Sequence, residues 1–499
     1  MALSAAQAVD RVKLLLDMRR GEGDTLDRLH SYWRGQQALP VVPTGVPSEV
    51  RRLAEMSRVN LLTLVVDVLA QGLFVDGFRE PRASENDAQV WAIWQANRMD
   101  SRQVGVHRAA FAYGVSYVLV LPGDPNAVLR PVSPRKLTAA YGLDDDEWPQ
   151  VALESTGPDE FRLYDDQAIY FVNRSEAQVG SLDGPTFSVV DVLEHGLGVC
   201  PVVRFKNHED LDGELVGEIE PLIPLQDQLD HTTFGLLVAQ HYQSFRQRYI
   251  LGWTSPDESV KAKASASRLW TFDDPDVKVG EFGQVDLGGY LESRQATGEY
   301  LATLSQTPPH QLLGKLVNLS AEALAAAEAG QHRKLGERET GFGESWEQAL
   351  RLAATADGVE VSDDAQVRWR DTEARSLSQT VDALGKMAQM LGIPPQALWE
   401  RVPGVSQQDV EEWKALAVSG DSLLQLTSML DNQATMAAPT AADPADLKAK
   451  ADALGSLIRA GVDPDQAAIQ VGLAGLKFTG AVPVSLRLPQ TEAAQLENA

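Results

Sequence analysis

The sequence predicts an α+β chain, mainly helical, in which one β-rich region interrupts a succession of helices. Three observations carry this. Apolar positions recur at helical intervals over most of the 499 residues. Between about 116 and 206 the pattern changes to short β-type runs divided by turn clusters. Residues 218–248 then read as one long helix. A chain of this length buries a substantial core, either as about three domains or as one continuous elongated fold.

The elements follow in order. Residues 4–35 read as a helix, with Val9, Val12, Leu15 and Leu16 at helical spacing. The Pro- and Gly-punctuated stretch Pro40 to Pro47 forms a loop. A second helical stretch runs from Pro47 to Gln71, and helical spacing resumes from Asn86 to Tyr113, with Trp91 and Trp94 on one face. Strands are expected at Tyr117–Leu121, Ala168–Val172, Phe187–Asp191 and Val202–Phe205, in a mixed or antiparallel arrangement. Pro221 and Pro224 suit the first turn of the long helix, whose Leu222, Leu225, Leu229, Leu236 and Leu237 recur helically. Residues 222–248 would span about 40 Å. Residues 250–289 are polar and turn-rich, with Trp253, Trp270 and Phe272 as anchors. A helix over Leu291–Leu304 stops at Thr307-Pro308-Pro309, and an Ala-rich helix covers Ala321–Ala354. A β-like run at Gln366–Arg370 precedes helices at Ser376–Leu391 and Ser406–Ala415. Ala437 to Pro444 reads as a linker before a small helical tail.

Composition is ordinary except for charge. With 44 Lys plus Arg against 70 Asp plus Glu the formal charge is -26. Such a chain repels nucleic acid overall, because duplex binding relies on cations that displace counterions. Any contact with DNA is therefore local, or is contact without adhesion. One cysteine, Cys200, excludes an internal disulfide and a Cys-rich zinc site, and its plain reading is a small buried apolar residue. The N-terminal helix is amphipathic rather than a signal peptide, and the apolar stretch Leu61–Ala70 is far short of a bilayer span. The expectation is a protein that neither uses that export route nor crosses a membrane.

A search for chemistry returns little. The fragment Leu313-Gly314-Lys315-Leu316 lacks the glycine and hydroxyl residue of a phosphate loop, so an ATP-hydrolysing motor is unsupported. The histidines are scattered: His231 and His241 lie ten apart on one helix, too far to chelate one ion together. Asp144-Asp145-Asp146-Glu147 is a formal candidate for a hard cation, but beside Gly142 and Pro149 it reads as a solvated turn. Weak basic clusters at Arg246 and Arg248, at Lys261, Lys263 and Arg268, and at His332, Arg333 and Lys334 read as solvated faces.

The order of segments is more telling than any residue. SYWRGQQ at 31–37, MSRVNLLTLVVDVLAQGLFVDGFR at 56–79, WAIWQANRMD at 91–100 and HRAAFAYGVSYVLV at 107–120 come first. PVVRFKN at 201–207, EIEPLIPLQDQLD at 218–230, PPHQLLGKLVNLSAEALAAAEAG at 308–330, FGESWEQALRLA at 342–353 and AGVDPDQAAIQVGL at 460–473 follow. Jointly the succession resembles the portal proteins of long-tailed phages, particularly those of actinobacteria, over nearly the whole chain. The resemblance implies a portal fold: an N-terminal helical region of the wing at 1–85, an α/β wing at 86–217, a first stem helix at 218–248 and a clip at 249–289. A second stem helix at 290–305, a tunnel loop at 306–319, a long wing helix and strand at 320–375, a crown at 376–436 and a linker with a helical tail at 437–499 complete it.

The same resemblance implies a function. Family members form rings, usually dodecamers, at one capsid vertex, where DNA is packaged, retained and ejected and where head joins tail. The implied partners are the terminase packaging motor, major capsid and scaffold proteins, a head–tail adaptor, and double-stranded DNA passing without sequence specificity. No cofactor, metal or membrane is implied, and the protein is expected in the virion after assembly in the host cytoplasm. The tunnel loop carries Pro308, Pro309, His310, Gln311, Leu312, Leu313, Gly314, Lys315, Leu316, Val317 and Asn318, with Lys315 singled out as the cation facing DNA, although an exposed lysine with no DNA role fits equally. Trp253, Trp270 and Phe272 are the expected partner contacts of the clip, although holding its own small core would occupy them equally. Two alternatives stay open: a minor head or connector protein without a channel, and a metal-dependent nuclease using the cluster near Asp144.

Overall fold

The computed structural model describes residues 2–81, 86–142, 147–175, 186–244, 248–251, 278–281, 286–314, 321–370, 377–402, 405, 407–420, 454 and 468. Contacts divide the chain into two units, Met1–Glu373 and Ala374–Ala499.

The first unit opens with α1, Ala5–Trp33, started by a capping box in which Ser4 and Gln7 satisfy each other's backbone N–H groups. The expected helix over 47–71 is two helices, α2 (Ser48–Met56) and α3 (Leu62–Gln71). Asn60 causes the break: its Oδ1 accepts the Thr63 N–H at 3.2 Å and its Nδ2 donates to the Trp33 carbonyl at 3.0 Å. Strand β1 (Val75–Arg79) follows. The expected helix over 86–113 is likewise divided into α4 (Ala88–Ala96) and α5 (Met99–Tyr113), because Arg98 takes a left-handed φ of 54° between them.

The β region supplies β2 (Val115–Leu121), β3 (Val128–Val132), β4 (Leu137–Tyr141) and β5 (Pro149–Ser155). It continues with β6 (Glu160–Tyr164), β7 (Ala168–Ser175), β8 (Thr186–Glu194) and β9 (Val202–Lys206). They form a five-stranded sheet in the order β4-β5-β6-β7-β8 and a three-stranded sheet in the order β3-β2-β9. Every pairing in the two sheets is antiparallel, which resolves the mixed-or-antiparallel expectation.

After a 3₁₀ turn at Glu220–Leu222 comes α6, Ile223–Ser244. It ends before the expected Arg248, because Arg248-Tyr-Ile-Leu251 forms β10 and pairs with β11 (Lys278–Glu281). Then follow α7 (Gly288–Ser305), α8 (Pro309–Leu313), α9 (Ala321–Ala356) and β12 (Gln366–Trp369), which returns to pair with β1. In the second unit α10 (Leu377–Leu391) and α11 (Gln407–Gly420) flank two 3₁₀ turns, and Trp399 meets Trp413 edge-on at 6.2 Å.

Alternation along the strands decides the packing of the first unit. Val151, Leu153, Phe161, Leu163, Tyr170 and Val172 face one side of the larger sheet and bury the α1 stripe of Ala8, Val12 and Leu15. Ala152, Tyr164 and Ile169 face the other side and meet Tyr117, Leu119 and Val202 of the smaller sheet. Glu154 lies between the sheets, 3% exposed, clamped by both Arg130 nitrogens at 2.6 Å and by the Tyr164 hydroxyl at 2.7 Å. Burial disfavours its charge, but these three donors together hold its pKa below the ordinary carboxylate value. Cys200 is buried beside Val202, as its sequence context suggests.

The largest core joins α3, α4, α5, β2, β9 and α9. Trp346 of α9 lies 4.9 Å from Trp94 and 4.6 Å from Phe205, both edge-on. His107 of α5 is wholly buried here, stacked on Phe342 at 5.3 Å. Its Nε2 accepts the Trp346 indole N–H at 3.0 Å, and burial holds its pKa down at about 3, so the ring is neutral.

Candidate functional site at the base of the helix pair

Helices α6 and α7 pack antiparallel. Gly235 in the middle of α6 faces Tyr290 at the start of α7, where a Cβ would come within 2.9 Å of the ring. At the opposite end, Glu218 just before α6 and Ser305 at the end of α7 meet on one side chain, Lys334 of α9. Two buried polar networks fix this base.

The first is ionic. Glu218, 7% exposed, receives Lys334 Nζ at 2.5 Å and lies 3.5 Å from an Arg338 nitrogen. Lys334 also donates to the Ser305 carbonyl at 3.0 Å, which satisfies an orphan acceptor at the end of α7. Arg338 Nε donates to Asn207 Oδ1 at 2.9 Å, and Asn207 Nδ2 donates to the Val216 carbonyl at 2.9 Å. Four chain segments, the end of β9, the approach to α6, the end of α7 and the middle of α9, thus share one knot. Lys334, expected on a solvated basic face with His332 and Arg333, is instead a buried partner, its side chain only 10% exposed. Helical geometry explains the difference: Lys334 and Arg338 are one turn apart on the face of α9 that buries Leu335 and Phe342.

The second network binds α6 to the N-terminal region. Gln226 and Asp230, one turn apart, are both buried. Asp230 accepts from the Val59 N–H at 3.0 Å, Gln37 Nε2 at 2.7 Å and Gln226 Nε2 at 2.9 Å. Gln226 accepts the Leu61 N–H at 3.2 Å and donates to the Val59 carbonyl. Tyr32 donates to Asp227 at 2.6 Å, and its pKa is pushed up to about 12 by burial and by that bond. Burial raises the Asp230 pKa against the three donors that favour its charge. Gln226→Ala leaves the Leu61 N–H and Val59 carbonyl with only their mutual bond at 3.1 Å and takes one donor from buried Asp230. The expected loss is about 2 kcal/mol of unfolding free energy, measured by urea titration, with Gln226→Glu recovering less than half of it.

Beyond α7 the chain turns at Gln306, in a left-handed φ of 56°. Pro308 is buried and Pro309 exposed at the start of α8. Pro-Pro ends one helix and opens the next, since proline fits the first turn where no N–H is needed. Leu312 is buried in the main core, and Leu313 packs so closely on α7 that a Cβ at Gly298 would come within 2.6 Å of it. His310 lies 3.6 Å from Glu328 of α9, and Gly314 takes a left-handed φ of 65°. Thr307 Oγ1 and Gln311 Oε1 are buried with no hydrogen-bond partner among the described residues. The segment expected as one open loop over 306–319 therefore begins with a docked helical turn. Lys315, Leu316, Val317 and Asn318 lie outside the described residues, as do Trp253, Trp270 and Phe272, the basic residues Lys261, Lys263 and Arg268, and Asp144, Asp145 and Asp146.

Among the described residues no group of three or more His, Cys, Asp or Glu is placed to hold a metal ion. Among the same residues no helix is long and apolar enough to cross a membrane. The base is a mechanical junction: it joins two long helices, a turn and a sheet edge through buried charge.

Comparison with known proteins bears on what such a junction serves. The family model described as "Phage portal protein, SPP1 Gp6-like" matches residues 17–417. The chain is similar to the portal protein of Mycobacterium phage D29, 26% identical over 419 residues, covering 77% of this chain and 83% of the relative. It is also similar to the portal protein of Mycobacterium phage L5, 25% identical over 392 residues, covering 72% and 77%. Among solved structures, a chain from the neck of an empty gene transfer agent particle aligns with a TM-score of 0.43 at 12% identity, covering 71% of this chain and 96% of that one. A chain from the neck of the native particle aligns with a TM-score of 0.40 at 12% identity, covering 74% and 94%.

Proposed function

The chain belongs to the phage portal protein family, SPP1 Gp6-like, and on that premise we propose that its copies close into a ring-shaped channel at one capsid vertex. DNA enters through this channel during packaging, is retained by it and leaves through it, and the same ring joins head to tail. The observation that carries the reading is the span of the family match, which includes α6, α7 and α9 and everything between them.

In this reading α6 and α7 are the two stem helices, about 33 and 27 Å long at 1.5 Å per residue. The module between them is the clip. The turn at Gln306, α8 and the residues up to 319 form the tunnel loop, α9 is the long helix behind it, and residues 376–436 build the crown. Exposed Leu291, Tyr300 and Leu304 on α7 support packing against another copy, because each leaves apolar surface open in the single chain. A ring of twelve repeats one head-to-tail interface until it closes. Its partners are the terminase motor, capsid and scaffold proteins and a head–tail adaptor, and it resides in the virion after assembly in the host cytoplasm. The role is structural, with no catalytic residue assigned.

The acidic balance suits a channel. A uniformly cationic wall would hold DNA through its phosphates, whereas a net charge of -26 lets the duplex slide with only local cationic contact. Lys315 supplies such a contact in this reading. Negative-stain microscopy of the purified protein, paired with native mass spectrometry, tests the channel: rings with a central hole wide enough for duplex DNA are expected. A stable small oligomer without a hole would move the chain to the connector reading. Lys315→Ala is expected to leave rings intact while lowering packaged or retained DNA several-fold in a packaging assay. An unchanged packaging profile removes Lys315 from the channel contacts.

A further inference from the structure

One surface of this acidic chain reverses sign. A hollow of about 800 Å³ between α1 and the larger sheet is lined by Lys13, Arg19, Arg20, Arg135 and Arg174, against only Asp17 and Asp27. Leu16, Leu26 and Phe187 add apolar surface to the same lining. Arg20 pairs with Asp17 at 3.1 Å, Arg135 with Asp27 at 2.8 Å, and Arg174 with Asp159 outside the lining at 2.8 Å. Arg19 differs. Its Nη1 is buried with no hydrogen-bond partner among the described residues. Burial lowers its pKa, with Arg135 adding to the effect and Glu22 opposing it.

The complement stands elsewhere on the same chain. After β9, residues 207–216 form a tight hairpin closed by the Glu209–Leu215 bridge. Asp210 Oδ1 accepts the backbone N–H groups of Asp212 at 3.0 Å and Glu214 at 2.8 Å, and Gly213 takes φ +83°. These bonds give the tip a defined shape. At that tip Leu211 is 108% exposed, standing among Glu209, Asp210, Asp212 and Glu214. Lys206 engages Glu209 at 2.6 Å, but no ion pair among the described residues engages Asp212 or Glu214.

We propose that the hairpin tip of one copy docks into the α1 hollow of the next copy around the ring. Leu211 seats on Leu16, Leu26 and Phe187, while Asp212 and Glu214 meet Lys13 and Arg19. This inference rests on the ring reading and names a contact that closes it. Knob and hollow are different surfaces of one chain, so the contact is heterologous and repeats head to tail, as ring closure requires. Copies that each carry -26 repel one another, so association needs a place where opposite charges meet. The hollow suits an acidic polypeptide with an apolar tip better than a nucleic acid, because Leu16, Leu26 and Phe187 would find no match on a sugar–phosphate backbone. The hairpin of the same chain is not the occupant, since Leu211 is wholly exposed in it.

Cysteine cross-linking tests this directly. Cys200 is the only cysteine and is 1% exposed, so the native chain gives no background. Leu211→Cys combined with Leu16→Cys, oxidised after assembly, is expected to give a denaturing-gel ladder reaching the full ring, and each single variant only monomer. Intact rings by microscopy with a monomeric band, or a fast-migrating internal cross-link, would overturn the contact and leave the channel reading standing. Wild-type protein that forms no ring at any concentration overturns both. Asp212→Lys with Glu214→Lys is expected to cut ring yield at least tenfold without moving the unfolding midpoint. Adding Lys13→Glu with Arg19→Glu is expected to restore it; ring yield indifferent to the first reversal overturns the proposal.

Discussion

Glu218→Ala is expected to destabilise the Met1–Glu373 unit by roughly 3–5 kcal/mol, more than any single apolar truncation at the edge of the core. The size follows from what is left behind. Lys334 and Arg338 are each about nine-tenths buried, and Glu218 is the carboxylate within reach of both. Removing it strands Lys334 in a poorly solvated site, leaves Arg338 to Glu337 at 2.8 Å and Asn207 at 2.9 Å, and frees the anchor between the start of α6 and the middle of α9. Lys334→Ala is expected to cost less, because Arg338 still faces Glu218 and Asn207. Replacing Glu218, Lys334 and Arg338 together by methionine is expected to recover only part of the loss, since the apolar groups need no partner but the Ser305 carbonyl and the Asn207 amide lose theirs. Urea unfolding of the four proteins at pH 7 decides it. A Glu218→Ala loss below about 1 kcal/mol would mean that water reaches the knot and that the junction is held by packing alone.

Most of the helical architecture was legible in the sequence because apolar spacing survives local irregularity. What it concealed were breaks and buried charges. The helices expected over 47–71 and 86–113 keep one apolar stripe across their interruptions, so periodicity reads through Asn60 and Arg98. Strands β3, β4, β5 and β6 were not legible because each carries polar or small residues on one side, as in Glu160-Phe-Arg-Leu-Tyr164. A signal for the ionic knot did exist. Gln331, Leu335, Arg338, Phe342 and Trp346 fall on one buried stripe of α9, so the charge at 338 sits where an apolar residue is expected. Asp230 interrupts the inner face of α6 in the same way. A charge on a buried face demands a partner, but sequence spacing alone cannot say which distant segment supplies it. For Lys334 the neighbouring His332 and Arg333 masked the signal by making the trio look like an ordinary solvated face.

The buried imidazole of His107 makes stability fall in mild acid before carboxylates dominate. Its Nε2 accepts the Trp346 N–H and cannot also hold a proton without losing that bond. The folded pKa is about 3, against the ordinary value of 6.5 that the unfolded chain recovers. Between these values the unfolded chain binds a proton that the folded chain refuses. The contribution is therefore fully present above pH 6.5 and is lost progressively as pH falls toward 3. The slope approaches about 1.4 kcal/mol per pH unit, so the step from pH 8 to pH 4 removes roughly 3 kcal/mol from this residue alone. His107→Gln keeps an acceptor that can reach Trp346 but does not titrate. It is expected to cost stability at pH 8, where packing against Phe342 is lost, and to show a flatter decline toward pH 4. Taking the difference between the two proteins at each pH cancels the carboxylates they share, including Asp230 and Glu347, whose pKa values burial raises. Parallel curves for wild type and His107→Gln would show that His107 accepts its proton within the fold, and the neutral imidazole would then have no part in acid sensitivity.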